Sequence, residues 1–260
     1  MKTEKQTHPT ILRGLIVLEK VVQAQRPISS TDLIDELDLP RPKLNRILQQ
    51  LEEERLLQRE PVNRRYMPGP RTREMALGIM THKALGAPRH AILQALSEEI
   101  RETCNCSMLD GNHTVYFDRV EANWPYRIQL PIGSQLPLHC TASGKLFLAH
   151  MKQRKCERLI NAAPLKRYTD RTITDTGLLS EELKRIRTDG IGVDDEEFMS
   201  GMVAVAVPVF NASNEICFTI AVHAPTVRKP LEALRQYIPS LRQAAAAMAA
   251  TYCKSGADDD

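Results

Sequence analysis

The stretch LPRPKLNRILQQLEEERLL, residues 39–57, limits the possible folds of this chain more than any other. Leu44, Ile47, Leu48 and Leu51 recur at i, i+3, i+4 and i+7, so at about 100° per residue they gather into one apolar stripe that has to be buried. Pro42, Asn45, Arg46 and Gln49 then point the other way, with Arg41 and Lys43 beside them at the helix start. Arginine forks onto a phosphate or a guanine edge, and asparagine or glutamine can pair two hydrogen bonds with adenine, so this set suits the major groove of DNA. A polar outer face is also the ordinary state of an amphipathic helix. The neighbouring segments decide between the two.

Residues 11–25 place Ile11, Leu15, Leu18 and Val22 at helical spacing, which predicts a helix buried along that stripe. Pro27 ends it. Ser29 stands three residues before Asp32, the capping-box pattern of a helix start, and a short helix follows with Leu33, Ile34 and Leu37 inward. The turn DLPRP leads into the stretch above, giving a helix-turn-helix. Leu56, Leu57, Gln58 and Arg59 then predict a strand, PVN a turn, and Arg64, Arg65, Tyr66 and Met67 a returning strand. The basic tip of this two-stranded wing, Asn63, Arg64 and Arg65, suits backbone phosphates or the minor groove. Residues 1–69 therefore read as a winged helix-turn-helix domain.

A chain of 260 residues suits two domains, each with its own core. Charge divides along the chain: residues 1–89 carry 16 Lys and Arg against 11 Asp and Glu, net +5, and residues 90–260 carry 19 against 21, net −2. The front third is the part suited to a polyanion. There is no apolar run of membrane-span length, and the first residues lack the apolar segment of a secretion signal, so a cytoplasmic location without membrane contact is expected. The six cysteines have no disulfide-framework spacing, which predicts reduced thiols.

Pro68, Gly69 and Pro70 break the pattern. A linker helix is predicted over residues 70–88, ending near Gly86, Ala87 and Pro88. The second domain, residues 89–252, begins with a helix bearing Ile92, Leu96 and Ile100 on one face. Strands over 104–109 and 114–120 flank the hairpin turn Asp110, Gly111 and Asn112, and another strand is predicted over 127–132. Helices are predicted from 142, over 154–161 and over 179–188, then strands over 202–210 and 216–224 and a final alanine-rich helix over 231–252. This is an α+β domain with an antiparallel sheet, followed by a tail, residues 253–260, expected to be disordered.

Taken in order, LPRPKLNRILQQLEEERLL, the wing return RRYMPGP leading to ALG, the loop GSQLPLHCTASGKLFLA, and the pair GIGVDDEEFMSGMVAVAVPVF and FTIAVHAP resemble the IclR family of bacterial transcriptional regulators over nearly the whole chain. The resemblance implies a winged helix-turn-helix, a linker helix that dimerises, and an effector-binding domain related to GAF-type sensors. It further implies homodimers that pair into dimers of dimers on double-stranded operator DNA. The effector pocket it implies would be lined by Ile128, Ala142, Ser143, Asp194, Met202, Ala204, Ala221 and His223. Members that bind small oxo acids often carry serine at the places of Ala221 and His223, and this chain has serine at neither.

The residues themselves leave alternatives open. A helix start near Ala142 offers unpaired N–H groups to a carboxylate, and Ser143 either adds a hydroxyl donor or caps and turns the helix with Gly144. Asp194 either holds a ligand hydroxyl or caps a turn. His223 is either a donor sensitive to pH near neutrality or a satisfied core histidine. The expected effector is a small organic acid, an oxo acid such as glyoxylate or pyruvate or an aromatic acid, with no cofactor, metal or catalytic residue. An enzyme or stand-alone sensor on the second domain is the competing class. The segment ASGK fails as a phosphate-binding loop because His139 stands where that motif needs glycine. Cys104, Cys106, Cys140 and His139 lack zinc-ligand spacing; buried inert thiols are the expectation, and a redox-sensing regulator is the alternative.

Overall fold

The computed structural model describes residues 9–24, 26–37, 39–124 and 130–252, which fall into two compact units, Met1–Ile79 and Met80–Asp260. The expected disordered tail lies outside the described residues. Among the described residues, no helix is long and apolar enough to cross a membrane.

In the first unit, helices α1 (Thr10–Gln23), α2 (Ser30–Leu37) and α3 (Arg41–Glu53) precede strands β1 (Leu57–Arg59) and β2 (Tyr66–Pro68). Leu44, Ile47 and Leu48 are buried on α3 as their spacing requires, packed with Val17, Val21, Ile28, Leu33, Leu57 and Tyr66. The capping box closes on both sides: Asp32 N–H donates to Ser29 Oγ and Ser29 N–H to Asp32 Oδ2, each at 3.1 Å. On α1 the buried positions are Val17 and Val21, whereas Ile11 is 77% and Leu15 50% exposed. The helix is apolar on more than one face; of the expected stripe Leu18 packs against this core, while Ile11, Leu15 and Val22 are exposed. The wing is shorter than expected. Arg64 and Arg65 precede β2, and Arg64 sits in the left-handed region with φ 53°.

Helix α4 (Pro70–Thr81) reaches the boundary between the units. Its break falls at His82, and α5 (Lys83–Ile100) runs through Gly86 and Pro88, where a helix end was expected. Pro88 lies early in α5, so its missing N–H removes a single bond. The next residue, buried Arg89, donates from Nε to Asp118 Oδ2 at 2.8 Å and from Nη2 to Met80 O at 2.7 Å, which holds the segment helical past the proline.

The second unit is built on a six-stranded antiparallel sheet in the order β5-β4-β3-β8-β7-β6, comprising β3 (Thr103–Asp110), β4 (His113–Val120), β5 (Gln135–Pro137), β6 (Gly192–Asp195), β7 (Met202–Phe210) and β8 (Ile216–Pro225). The β3–β4 turn is the expected hairpin, with Gly111 at φ 61°. Of the strand expected over 127–132, residues 127–129 lie outside the described residues, and Leu130 to Ile132 are not strand. The strands β5 and β6 had not been expected. Helices α5 and α10 (Ile238–Tyr252) pack on one face, with α9 (Leu231–Arg235) before α10 where one continuous helix was expected. Helix α6 (Ala142–His150) packs on the other, with α8 (Thr176–Asp189) against α6, and α7 (Gln153–Ile160) lies between the two in sequence. Contact between α6 and β6 is close: a Cβ on Gly192 would lie 2.0 Å from Ala142 O, so only glycine fits there.

Candidate functional site

Between the sheet and the start of α6 lies a small cavity of about 50 Å³. Strand alternation explains its wall: Ala204 pairs with His223, Ala206 with Ala221 and Asn105 with Ala221, so these residues share the face turned to α6. The structure brings Ala142, Ser143, Asp194, Met202, Ala204, Ala221 and His223 around this one cavity. Ile128, the eighth residue that the resemblance put there, lies outside the described residues. Asn105, Thr114, Tyr116, Thr141, Phe198 and Met199 also line it and had not been singled out. For Asn105, Thr114 and Tyr116 the sequence signal was the polar alternation of β3 and β4. In CNC the informative residue is Asn105, between two cysteines that face the other side of the sheet.

The start of α6 is capped by Thr141, not by Ser143. Thr141 Oγ1 accepts from Gly144 N–H at 3.1 Å and donates to Pro137 O at 2.7 Å. The Ser143 hydroxyl is thereby left over: it is buried, lines the cavity, and has no hydrogen-bond partner among the described residues. Among the described residues the N–H groups of Ala142 and Ser143 have no acceptor either. Three donors without partners thus lie at the positive end of a helix that borders the cavity, an arrangement that favours an anion.

Each carboxylate of the DDEE segment has a structural task. Asp194 Oδ1 accepts from Glu197 N–H at 2.8 Å and Phe198 N–H at 3.3 Å, so it caps this turn while bordering the cavity. Asp195 pairs with Arg171 at 2.7 Å on the surface. Glu196 accepts from Gly201 N–H at 2.7 Å, and Glu197 forms a buried ion pair with Lys145 of α6. Burial, with the Glu197 charge second, pushes the Asp194 carboxyl up to about 7.

Because its folded pKa lies above the ordinary carboxylate value, the cost of ionising Asp194 is absent below about pH 4, grows as pH rises, and is complete above about 7. Asp194→Asn keeps the carbonyl acceptor and removes the charge. It is expected to stabilise the second unit at pH 8 by on the order of 2 kcal/mol and to be neutral near pH 4. Urea denaturation followed through Trp124, the single tryptophan, checks this at both pH values; an equal effect at both would contradict it.

His223 differs from expectation. Burial first, then the positive charges of Arg119 and Arg228, push its pKa down to about 3. The ring is neutral at every physiological pH and does not titrate near neutrality. The thiols of Cys104, Cys106 and Cys140 are buried, and burial pushes all three up, so they stay protonated. That counts against redox sensing through these three. No cluster of three metal-ligating side chains occurs among the described residues.

In the first unit, Arg41, Pro42, Asn45, Arg46 and Gln49 of α3 are exposed and Lys43 is half-buried. Gln49 donates to Glu53 at 2.9 Å within the helix. At the wing Arg64 is exposed and Arg65 half-buried. Arg59 is committed elsewhere, since it bonds Glu52 at 3.0 Å and Tyr66 OH at 2.7 Å and thereby ties α3 to the wing.

A helix-turn-helix with a wing, joined to an α+β unit with a donor-lined cavity, defines a ligand-responsive DNA-binding regulator. The chain belongs to the IclR family: residues 79–250 match the family described as bacterial transcriptional regulator IclR C-terminal, and residues 10–61 the IclR helix-turn-helix domain. It is 41% identical over 243 residues to the Cupriavidus necator protein named probable transcriptional regulator SauR, covering 94% of this chain and 96% of that one. The protein RHA06195 from Rhodococcus sp. RHA1 has a similar structure, with a TM-score of 0.63, 27% identity, and coverage of 93% of this chain and 96% of that one. The inducer-binding domain of a double mutant of Acinetobacter PobR, in complex with 3-hydroxybenzoic acid, is also similar, with a TM-score of 0.57, 28% identity, and coverage of 62% of this chain and 94% of that domain.

Proposed function

We propose that the cavity at the start of α6 binds a small organic acid, and that its occupancy changes how the recognition helices of a homodimer, or of a dimer of dimers, meet operator DNA. The observation that carries this reading is Ser143 Oγ, buried without a partner beside the free N–H groups of Ala142 and Ser143. A carboxylate would satisfy all three, while Met202, Ala204 and Ala221 supply the apolar wall usual in small-molecule sites. An oxo acid such as glyoxylate or pyruvate fits this chemistry, as does an aromatic acid of the kind bound by the PobR domain. A thermal-shift screen of such acids on the full chain tests it. A specific ligand at a hundred times its Kd stabilises by about 2.7 kcal/mol, and a screen in which no acid raises the melting temperature would contradict the proposal.

Metabolite sensing is assigned to the second unit, DNA reading to the first, with α4 as the link. The exposed apolar residues Ile11, Leu12, Leu15 and Val22 of α1 support self-association, because a face of this kind favours burial against a second copy. Two α3 helices of a directly paired dimer would then meet half-sites about one helical turn apart. Arg46→Ala is expected to weaken specific operator binding by about 1–3 kcal/mol through loss of a base contact. Alanine at both Arg64 and Arg65 should instead lower the slope of log affinity against log salt by roughly one unit per lost phosphate contact, leaving sequence preference intact. Gel-shift titrations over a salt series check both; an unchanged affinity for Arg46→Ala, or an unchanged slope for the wing variant, removes that element from the interface.

A further inference from the structure

His223 borders the cavity from β8, and its neighbours fix what the ring can offer there. Asn105 Nδ2 lies 3.3 Å from His223 Nδ1. Ser107 Oγ donates to Asn105 Oδ1 at 3.2 Å, which turns the amide so that its NH2 group faces the ring. A ring nitrogen that accepts such a bond carries no proton, and a neutral imidazole then holds its one proton on the other nitrogen. Among the described residues Nε2 has no hydrogen-bond partner. The charged groups acting on the ring, Arg119 and Arg228, are both cations and oppose a second proton.

Resting on the reading of this cavity as the effector site, we infer that Asn105 fixes His223 as a neutral Nε2–H donor on the cavity wall, and that this donor selects acids bearing a further acceptor oxygen besides the carboxylate. The carboxylate has its own donors at Ala142 and Ser143, so His223 is left for a second group. An acid without one leaves a buried N–H unpaired, a loss that binding sites built for a polar group translate into strong discrimination. Asn105 is a positioning residue: it acts through the ring.

The tautomer is read in the full chain, without ligand, from nitrogen–proton correlation spectra of protein labelled with 15N-histidine. At pH 7 the expected His223 ring, assigned by its disappearance in His223→Leu, has Nε2 protonated and Nδ1 bare, and in Asn105→Leu it becomes a mixture of tautomers. A wild-type ring protonated at Nδ1 or at both nitrogens overturns the inference, as does an unchanged ring in Asn105→Leu. Ligand selection is read by calorimetry with pyruvate and propionate, which differ in the oxo oxygen. Wild type is expected to bind pyruvate about tenfold more tightly or better. The ratio should fall towards one in His223→Leu and persist in His223→Gln, whose amide also donates. An equal ratio in wild type and His223→Leu, or no binding of pyruvate, overturns it. Ser143→Phe separates this failure from that of the cavity reading: if the cavity is the site it abolishes binding of both acids, and survival of binding there overturns the cavity reading itself.

Discussion

Replacing Lys145 by methionine is expected to destabilise the second unit by about 3–5 kcal/mol, the usual cost of removing one partner of a buried ion pair. Lys145 is 1% exposed, bonds Glu197, and lies 3.7 Å from Glu182. Without it two carboxylates remain in or near the core, and Glu197 already has a buried oxygen with no partner among the described residues. Burial raises the Glu197 carboxyl, and Lys145 is the main opposing influence, so the variant should raise it further. The sign follows from that direction: protonation relieves the buried charge, so the loss is smaller at pH 5 than at pH 8. Restoring shape and neutrality with Glu197→Leu in the same chain should recover much of the loss, because a buried pair is often replaceable by apolar groups. Urea denaturation followed through Trp124 measures all three chains; a single variant as stable as wild type would contradict the account of this pair.

The largest functional effect is expected from Ser143→Phe. Ser143 is buried at the first turn of α6, and its side chain borders the cavity between the helix start and the sheet. A phenyl group there occupies the space of the ligand and covers the N–H groups that would hold its carboxylate. Effector affinity should fall by about a hundredfold or more, since it removes both charge-assisted hydrogen bonds and room for the ligand. The cap is made by Thr141, so the helix start keeps its own bonds. Calorimetry with the acid identified by thermal shift checks this, and affinity within a factor of a few of wild type would place the site elsewhere.

What the sequence made legible depended on whether a pattern had one physical solution. On α3 the apolar residues form a single stripe, and Leu44, Ile47 and Leu48 are buried accordingly. On α1 apolar residues occupy several faces, so periodicity identified a helix without deciding which face meets α3; the choice of Val17 and Val21 is made by packing. The start of α6 was legible from helix-start chemistry, yet which hydroxyl caps it depended on a difference of two residues, and that difference is what leaves Ser143 free for a ligand. The strand β6 was hidden because GVDD lacks apolar alternation, and β5 because it has only three residues. Asn105 was hidden because its role comes from a residue 118 positions away, His223. Long-range pairing of this kind is set by sheet register, which local sequence does not display.

The central claim is that occupancy of the α6 cavity governs DNA binding by the first unit. It is tested most directly by fluorescence anisotropy of a labelled operator fragment titrated with the full chain, with and without the identified acid, in wild type and Ser143→Phe. Coupling of this kind typically corresponds to about 1–3 kcal/mol, or roughly 5- to 150-fold in affinity. The account predicts a shift of that size in wild type and none in Ser143→Phe, with the two proteins binding operator equally in the absence of acid. An equal shift in both proteins, or no shift in wild type at saturating acid, would contradict it.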